Sequence, residues 1–144
     1  MPLELIMQSQ QSVALELLEQ SLNSYLNSLK ITQIVSLILI DDAQMKEFNL
    51  RDRGIDKSTD VLSYPLFEPD DIDMPKIEQL GDVFISLETA QKQAIEHKHS
   101  LEDEVLVLAA HGITHLRGFD HDSPENWQIF LSEQKIVLEH KNAI

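Results

Sequence analysis

Residues 111–121 read His-Gly-Ile-Thr-His-Leu-Arg-Gly-Phe-Asp-His, and three of the chain's six histidines fall within them. His111 and His115 are four apart, so a helix places them one turn apart on one face. Gly118 is positioned to end that helix, because glycine adopts a left-handed conformation at a helix C-terminus at little cost. The chain can then turn back and bring His121 to the other two. Three imidazoles meeting at a point suit a catalytic zinc ion, which takes three protein ligands and keeps a fourth position for water or substrate.

Histidines at relative positions 0, 4 and 10, with glycine at 7, match the metzincin pattern H-E-x-x-H-x-x-G-x-x-H in all but one element. The residue after the first histidine is Gly112, which has no side chain and cannot take a proton as the protease glutamate does. The spacing therefore keeps a metal cage and lacks the protease base, which argues for zinc chemistry other than peptide hydrolysis. A purely structural zinc is the competing reading. Such sites are usually closed by four ligands and often use cysteine. This chain has no cysteine, so Asp120 or Asp122 would have to supply the fourth.

These residues need elements to hold them. Residues 3–8 read as a short strand, and from Ser12 to Leu29 the apolar positions Leu18, Leu22, Tyr25, Leu26 and Leu29 follow a helical period. Val35–Ile40 is an apolar, β-rich strand. Asp41 or Asp42 can cap a short helix to about Leu50. The polar stretch 51–60, which holds three basic residues including Arg53, reads as an exposed loop. Val61–Tyr64 reads as a strand ended by Pro65, and the acidic stretch around 68–73 as a solvated loop. Gly81–Ser86 is a further strand, with Ser86 capping a helix over 87–98. His97 and His99 near its end are read as solvated or favouring the helix C-terminus. Ser100 and Asp103 form a capping-box-like pair at the start of the helix that carries His111 and His115, and its nearly all-round apolar character makes it central and buried. Ser123-Pro124 opens a last helix to about Glu139.

At 144 residues and 42% apolar content, the chain reads as one domain, 1–144, with a real core. No run approaches the roughly 18 apolar residues of a membrane span, and the first residues do not resemble a signal peptide. With no cysteine and therefore no disulfide, a soluble cytoplasmic protein is expected. A net charge of −14 disfavours nonspecific nucleic-acid binding. A bound zinc ion would nevertheless be the largest local positive charge.

The motif resembles the H-G-x-x-H-L-x-G-x-D-H signature of the YbeY family of bacterial endoribonucleases. Three further stretches agree in order and spacing: Asn49 to Arg53, with Asp56 and Ser58–Pro65 beyond it; Leu80–Ser86; and Glu104, seven residues before His111. The resemblance covers about residues 35–140. Asp52 stands where the family usually has an aromatic residue, Tyr64 replaces Phe, Thr114 replaces Leu, and Trp127 occupies a place expected to be Met. None of these is expected to touch a proposed ligand, although Asp52 beside Arg53 would weaken the local positive field.

The resemblance implies an α+β fold with a small mixed sheet packed with helices. The elements read from the sequence put it at about four strands and five helices, with the zinc site on a central helix. It implies one zinc per chain on His111, His115 and His121, and a functionally important Arg53. It also implies action on single-stranded RNA in small-subunit ribosomal RNA 3′-end maturation and ribosome quality control, so the expected partners are ribosomal RNA and the small subunit, with no DNA and no membrane. Arg53 suits the charge that builds on phosphoryl oxygens, because a guanidinium is always cationic and grips two oxygens at once. Its bland reading is a salt bridge to Asp52, Asp56 or Asp60. Arg117 is read as pointing to solvent or touching the RNA backbone. Metal-activated water and the RNA's own 2′-hydroxyl both remain open as attacking group. Asp120 has two roles open, as base or as the group that orients a ligand histidine through its other ring nitrogen. A zinc peptidase or amidase, and a noncatalytic ribosome-assembly factor with a structural zinc, are the alternatives.

Overall fold

A computed structural model describes residues 2–66 and 79–144 of the chain; the acidic stretch 68–73 lies outside the described residues. The element order is β1 (Leu3–Met7), α1 (Leu15–Ser28), β2 (Ile34–Ile40), α2 (Asp42–Arg53), β3 (Val61–Pro65), β4 (Gln79–Ser86), α3 (Leu87–His97), α4 (Leu101–Leu116) and α5 (Pro124–Asn142). The sheet order is β1-β2-β4-β3. β1 and β4 pair with β2 in parallel, and β3 pairs with β4 antiparallel. Among the described residues the fold is therefore α+β, a four-stranded mixed sheet with five helices.

β2 reads as a continuous apolar run because both of its faces are covered. Val35, Leu37 and Leu39 face the main core, which Leu18, Leu22 and Leu26 of α1 and Val105, Leu106 and Ala109 of α4 complete. Ile38 and Ile40 face a smaller cluster with Met45 of α2 and Leu62 of β3. α4 is buried along most of its length, as its composition requires. Truncating a fully buried residue such as Leu106 to Ala would cost about 2–5 kcal/mol.

Edge strand β3 runs beside the C-terminal half of α4, and Pro65 ends it where proline is tolerated. Gly112 fixes how closely α4 sits on the sheet. A Cβ there would lie 2.6 Å from Val83 Cγ1 and 3.0 Å from Ser63 Oγ. The position therefore faces the strands and not the histidines. Gly112 is glycine for packing, a reason that the missing protease base does not reveal.

Two expectations change. α2 continues to Arg53, three residues past the expected end. Gly54 stops it in a left-handed conformation at φ 70°, and its N–H donates to the Leu50 carbonyl. Residues 51–53 are thus the last helical turn, and the loop begins at Gly54. That loop is pinned, because Asn49 Nδ2 donates to the Lys57 carbonyl at 2.8 Å and the Ser58 hydroxyl to Asp42 Oδ1 at 3.0 Å. Asp42 also accepts from the Ser86 and Thr89 hydroxyls, 2.6 Å each. Burial would raise its pKa, but these three hydroxyl donors outweigh it and hold the carboxyl below its ordinary value.

His97 and His99 are also not simply solvated. His97 Nδ1 and His99 Nε2 both donate to Oε1 of Glu104, at 2.8 and 2.6 Å. Glu104 is 1% exposed. Its buried charge is answered by two ring N–H groups that clamp the α3–α4 turn.

Candidate metal centre

His111 and His115 lie one turn apart near the end of α4. The helix closes with a Schellman motif: the Gly118 N–H donates to the His115 carbonyl, and the Phe119 N–H to the Thr114 carbonyl. Gly118 takes φ 96°, the left-handed conformation expected of it. The reversed chain returns His121 to the pair. Ring centroids stand 4.9 Å apart for His111 and His115, 5.4 Å for His111 and His121, and 5.3 Å for His115 and His121. One donor nitrogen from each lies within 4.8 Å of the others.

The donor set fits a transition cation such as zinc. Burial, then the neighbouring His115 and His121, push the His111 pKa down to about 4. Burial and His121 lower that of His115, against a smaller opposing effect of its bond to the Phe119 carbonyl. Both rings are therefore neutral at pH 7 and keep a lone pair for a cation. His115 Nδ1 lies 3.1 Å from the Phe119 carbonyl oxygen. A carbonyl can only accept, so Nδ1 carries the proton and Nε2 is left as the ligand atom. For His115, the orienting role left open for Asp120 falls to a backbone oxygen. Asp120 Oδ1 instead accepts the N–H of His121 at 2.9 Å. Asp122 Oδ1, the other candidate fourth ligand, accepts from Asn126 Nδ2 at 3.2 Å.

α5 supplies the floor. Phe130 is fully buried, and its ring centroid lies 4.8 Å from those of His111 and His115 and 5.3 Å from that of His121. Sequence periodicity marks Phe130 only as an apolar-face residue. Trp127, one turn earlier, meets His121 edge-on at 5.4 Å. The expectation that none of the departures from the family pattern touches a proposed ligand fails at this residue.

Arg53 reaches the same place from α2. A cavity of about 510 Å³ is lined by Arg53, His111, His115, His121, Asp120 and residues of β3. Among the described residues Arg53 makes no ion pair. Asp52 is taken by Arg51, at 2.8 Å, and by the Tyr64 hydroxyl, at 2.6 Å. Its bonds from Arg51 and then Tyr64 lower the Asp52 pKa to about 2. Arg51 thus offsets the charge that Asp52 would otherwise set against Arg53. Arg117 does not point free into solvent: its Nη1 donates to Glu133 Oε1 at 2.7 Å, tying the end of α4 to α5.

The chain matches the Endoribonuclease YbeY family model over residues 4–142. It belongs to the YbeY family. An Endoribonuclease YbeY from Acetivibrio thermocellus is 38% identical over 141 residues, covering 89% of this chain and 86% of the relative. One from Thermus thermophilus is 46% identical over 104 residues, 72% of this chain and 73% of the relative. The solution structure of a Thermotoga maritima protein superposes with a TM-score of 0.65 at 27% identity, over 96% of this chain and 89% of that one. The curated YbeY relatives and the family model are endoribonucleases by name, so the chain is placed among enzymes. Among the described residues no helix is long and apolar enough to cross a membrane.

Proposed function

We propose that this chain is a zinc-dependent endoribonuclease of the cytoplasm that cuts single-stranded RNA in small-subunit ribosomal RNA 3′-end maturation and ribosome quality control. The observation that carries the reading is the shared cavity: Arg53 of α2 and the three histidines of α4 and its return loop line one space. A catalytic cation and a guanidinium with no ion-pair partner among the described residues, around one cavity, suit a phosphodiester, whose negative charge grows in the transition state.

His111, His115 and His121 would hold one zinc ion per chain, which supplies Lewis acidity to a phosphoryl oxygen and to water when bound. The neutral state of His111 and His115 readies them for this, and the Phe119 carbonyl holds the tautomer of His115. Arg53 grips the scissile phosphate. Phe130 closes the floor against solvent behind the rings. Among the described residues two carboxylates line the cavity, Asp60 and Asp120. Asp60 uses Oδ1 on the Val61 N–H and Oδ2 on Gln93 Nε2. Asp120 engages Oδ1 alone among the described hydrogen bonds, so its second oxygen is the better placed to take a proton.

The peptidase reading loses support at Gly112, where the protease glutamate would have to occupy space filled by Val83 and Ser63. The structural-zinc reading needs a fourth ligand, and among the described residues no carboxylate oxygen joins the three histidine nitrogens within 4.8 Å. The test is zinc-loaded protein on single-stranded RNA, on duplex RNA and on a peptide library, with metal content measured on the same sample. Cleavage confined to single strands and dependent on zinc is expected. Peptide cleavage, or no cleavage with zinc retained, would favour the peptidase or the assembly factor respectively.

A further inference from the structure

We propose that the chain holds one nucleobase of its RNA substrate in a second cavity beside the metal centre, stacked on Trp127 and selected for an exocyclic amino group. The inference rests on the endoribonuclease reading and names a part of the substrate that reading leaves unplaced. The cavity is about 410 Å³, within the size range of small-ligand sites, and is lined by Trp127, His111, Asp60, Gln93, Glu96 and Glu104 among others. His111 and Asp60 also line the Arg53 cavity, so the two spaces are neighbours. A strand with a phosphate in one has an adjoining base within reach of the other.

Charge decides which part of a nucleotide each space takes. The first holds Arg53 and the cation site. Among the described residues the second carries three carboxylates, Asp60, Glu96 and Glu104, with His97 and no lysine or arginine. Asp60 and Glu104 already accept from Gln93, His97 and His99, which leaves exposed Glu96 as the acceptor open to a base. Such a lining repels phosphate and accepts hydrogen bonds from amino groups, as carboxylates do from cytosine N4. Trp127 supplies the apolar side. It is 41% exposed, a large area for the chain's one tryptophan, and it sits in the first turn of α5, where Ser123 caps the helix at Asn126 N. It packs beside Phe130 at 6.4 Å and 27°, which holds the indole without covering it. Single-stranded RNA readers use aromatic faces of this kind to stack unpaired bases.

Because Trp127 is the chain's one tryptophan, its fluorescence reports the contact directly. The zinc-loaded protein is mixed by stopped flow, before turnover, with 2′-O-methyl oligocytidylate, oligouridylate and an abasic strand of equal length. Cytidine and uridine differ in carrying an amino or a carbonyl group at one ring position. The cytidine strand is expected to quench Trp127, at roughly tenfold lower concentration than uridine, and the abasic strand to leave it unchanged. On cleavable RNA, Trp127→Ala is expected to raise KM about tenfold with zinc content and kcat little changed, and Trp127→Phe to restore most of it, in line with the loss of one stacked base. Equal quenching by the abasic strand would mean the site reads phosphate, and equal response to cytidine and uridine would remove the amino selection; either overturns the proposal. If Trp127→Ala matches the parent on RNA that the parent cleaves, the base site fails while the endoribonuclease reading stands. If the zinc-loaded parent cleaves no single-stranded RNA at all, that reading fails first.

Discussion

Among the described residues, two clusters of three titratable residues lie on or near α4, and they differ in one respect that decides their chemistry. His111, His115 and His121 gather without a carboxylate among them, and burial with mutual repulsion keeps His111 and His115 neutral at pH 7. His97 and His99 gather around Glu104, which accepts a proton-bearing nitrogen from each. Hydrogen bonding to Glu104 and then its charge raise the His97 pKa above its ordinary value. The first cluster has lone pairs seeking a cation, whereas the second has already satisfied its charge with protons. Nearness of ligand-type residues is therefore weak grounds for a metal site. The protonation state that the surroundings impose separates a cation site from an internal clamp.

The largest test of that contrast is metal itself. His121→Ala is expected to abolish tight zinc binding while the α4 helix survives, because His121 lies beyond the Schellman turn. Glu104→Gln is expected to keep one zinc per chain. Elemental analysis on the parent and both variants checks this: two zinc ions in the parent, with one lost in Glu104→Gln, would break the contrast by making the clamp a second metal site.

The next effect is on rate. Arg53→Ala is expected to keep zinc and melting temperature and to lose single-strand cleavage by on the order of a hundredfold, as loss of a partner for transition-state charge does. Arg53→Lys would recover it in part, because an ammonium lacks the bidentate grip. The exposed last turn of α2 tolerates alanine, so stability should change by only about 0.5 kcal/mol. Unchanged cleavage in Arg53→Ala would reduce the residue to a favourable charge at a helix C-terminus. A smaller effect is expected at Gly112. Gly112→Ala sets a methyl against Val83 and Ser63 and should destabilise by about 1–3 kcal/mol through overpacking. A melting curve that does not move would show that α4 and β4 have slack there.

How much of this was legible beforehand follows from the range of the interactions. The pairing of His111 with His115 and the turn at Gly118 are local and could be read from spacing. The strands and helices followed from apolar periodicity, with end shifts of a few residues at α1, α2, β4 and α5. Arg53 ends a helix and does not open a loop, and Arg-Asp-Arg-Gly carries that signal locally, since Gly54 with basic residues just before it is a helix stop. Other features had no local signal. The Phe119 carbonyl that orients His115 is backbone and carries no side-chain identity. The contact of Trp127 and Phe130 with the histidines depends on where α5 docks. The clamp on Glu104 needs the α3–α4 turn to fold α3's last residues back over α4, which spacing alone does not announce.

The smallest prediction concerns pH and sharpens the second half of the contrast. A histidine whose folded pKa exceeds its unfolded value of about 6.5 binds its proton more tightly in the native state. The stability it adds is fully present below that unfolded value and is lost as pH rises through the folded one. The stabilisation contributed by His97 should therefore be greatest in mildly acidic solution and fade through neutrality. The His97 side chain is 56% exposed, so solvent screens the pair and the effect should be within the 0–1 kcal/mol of surface ion pairs. Thermal melts of the parent and His97→Ala at several pH values between about 5.5 and 8.5, in the absence of added metal, would show the gap between them narrowing as pH rises. High salt should shrink the gap at acidic pH as well. A gap that widens with pH would mean that His97 acts on Glu104 as a neutral donor alone, and the clamp would then be a hydrogen-bonding device and not an electrostatic one.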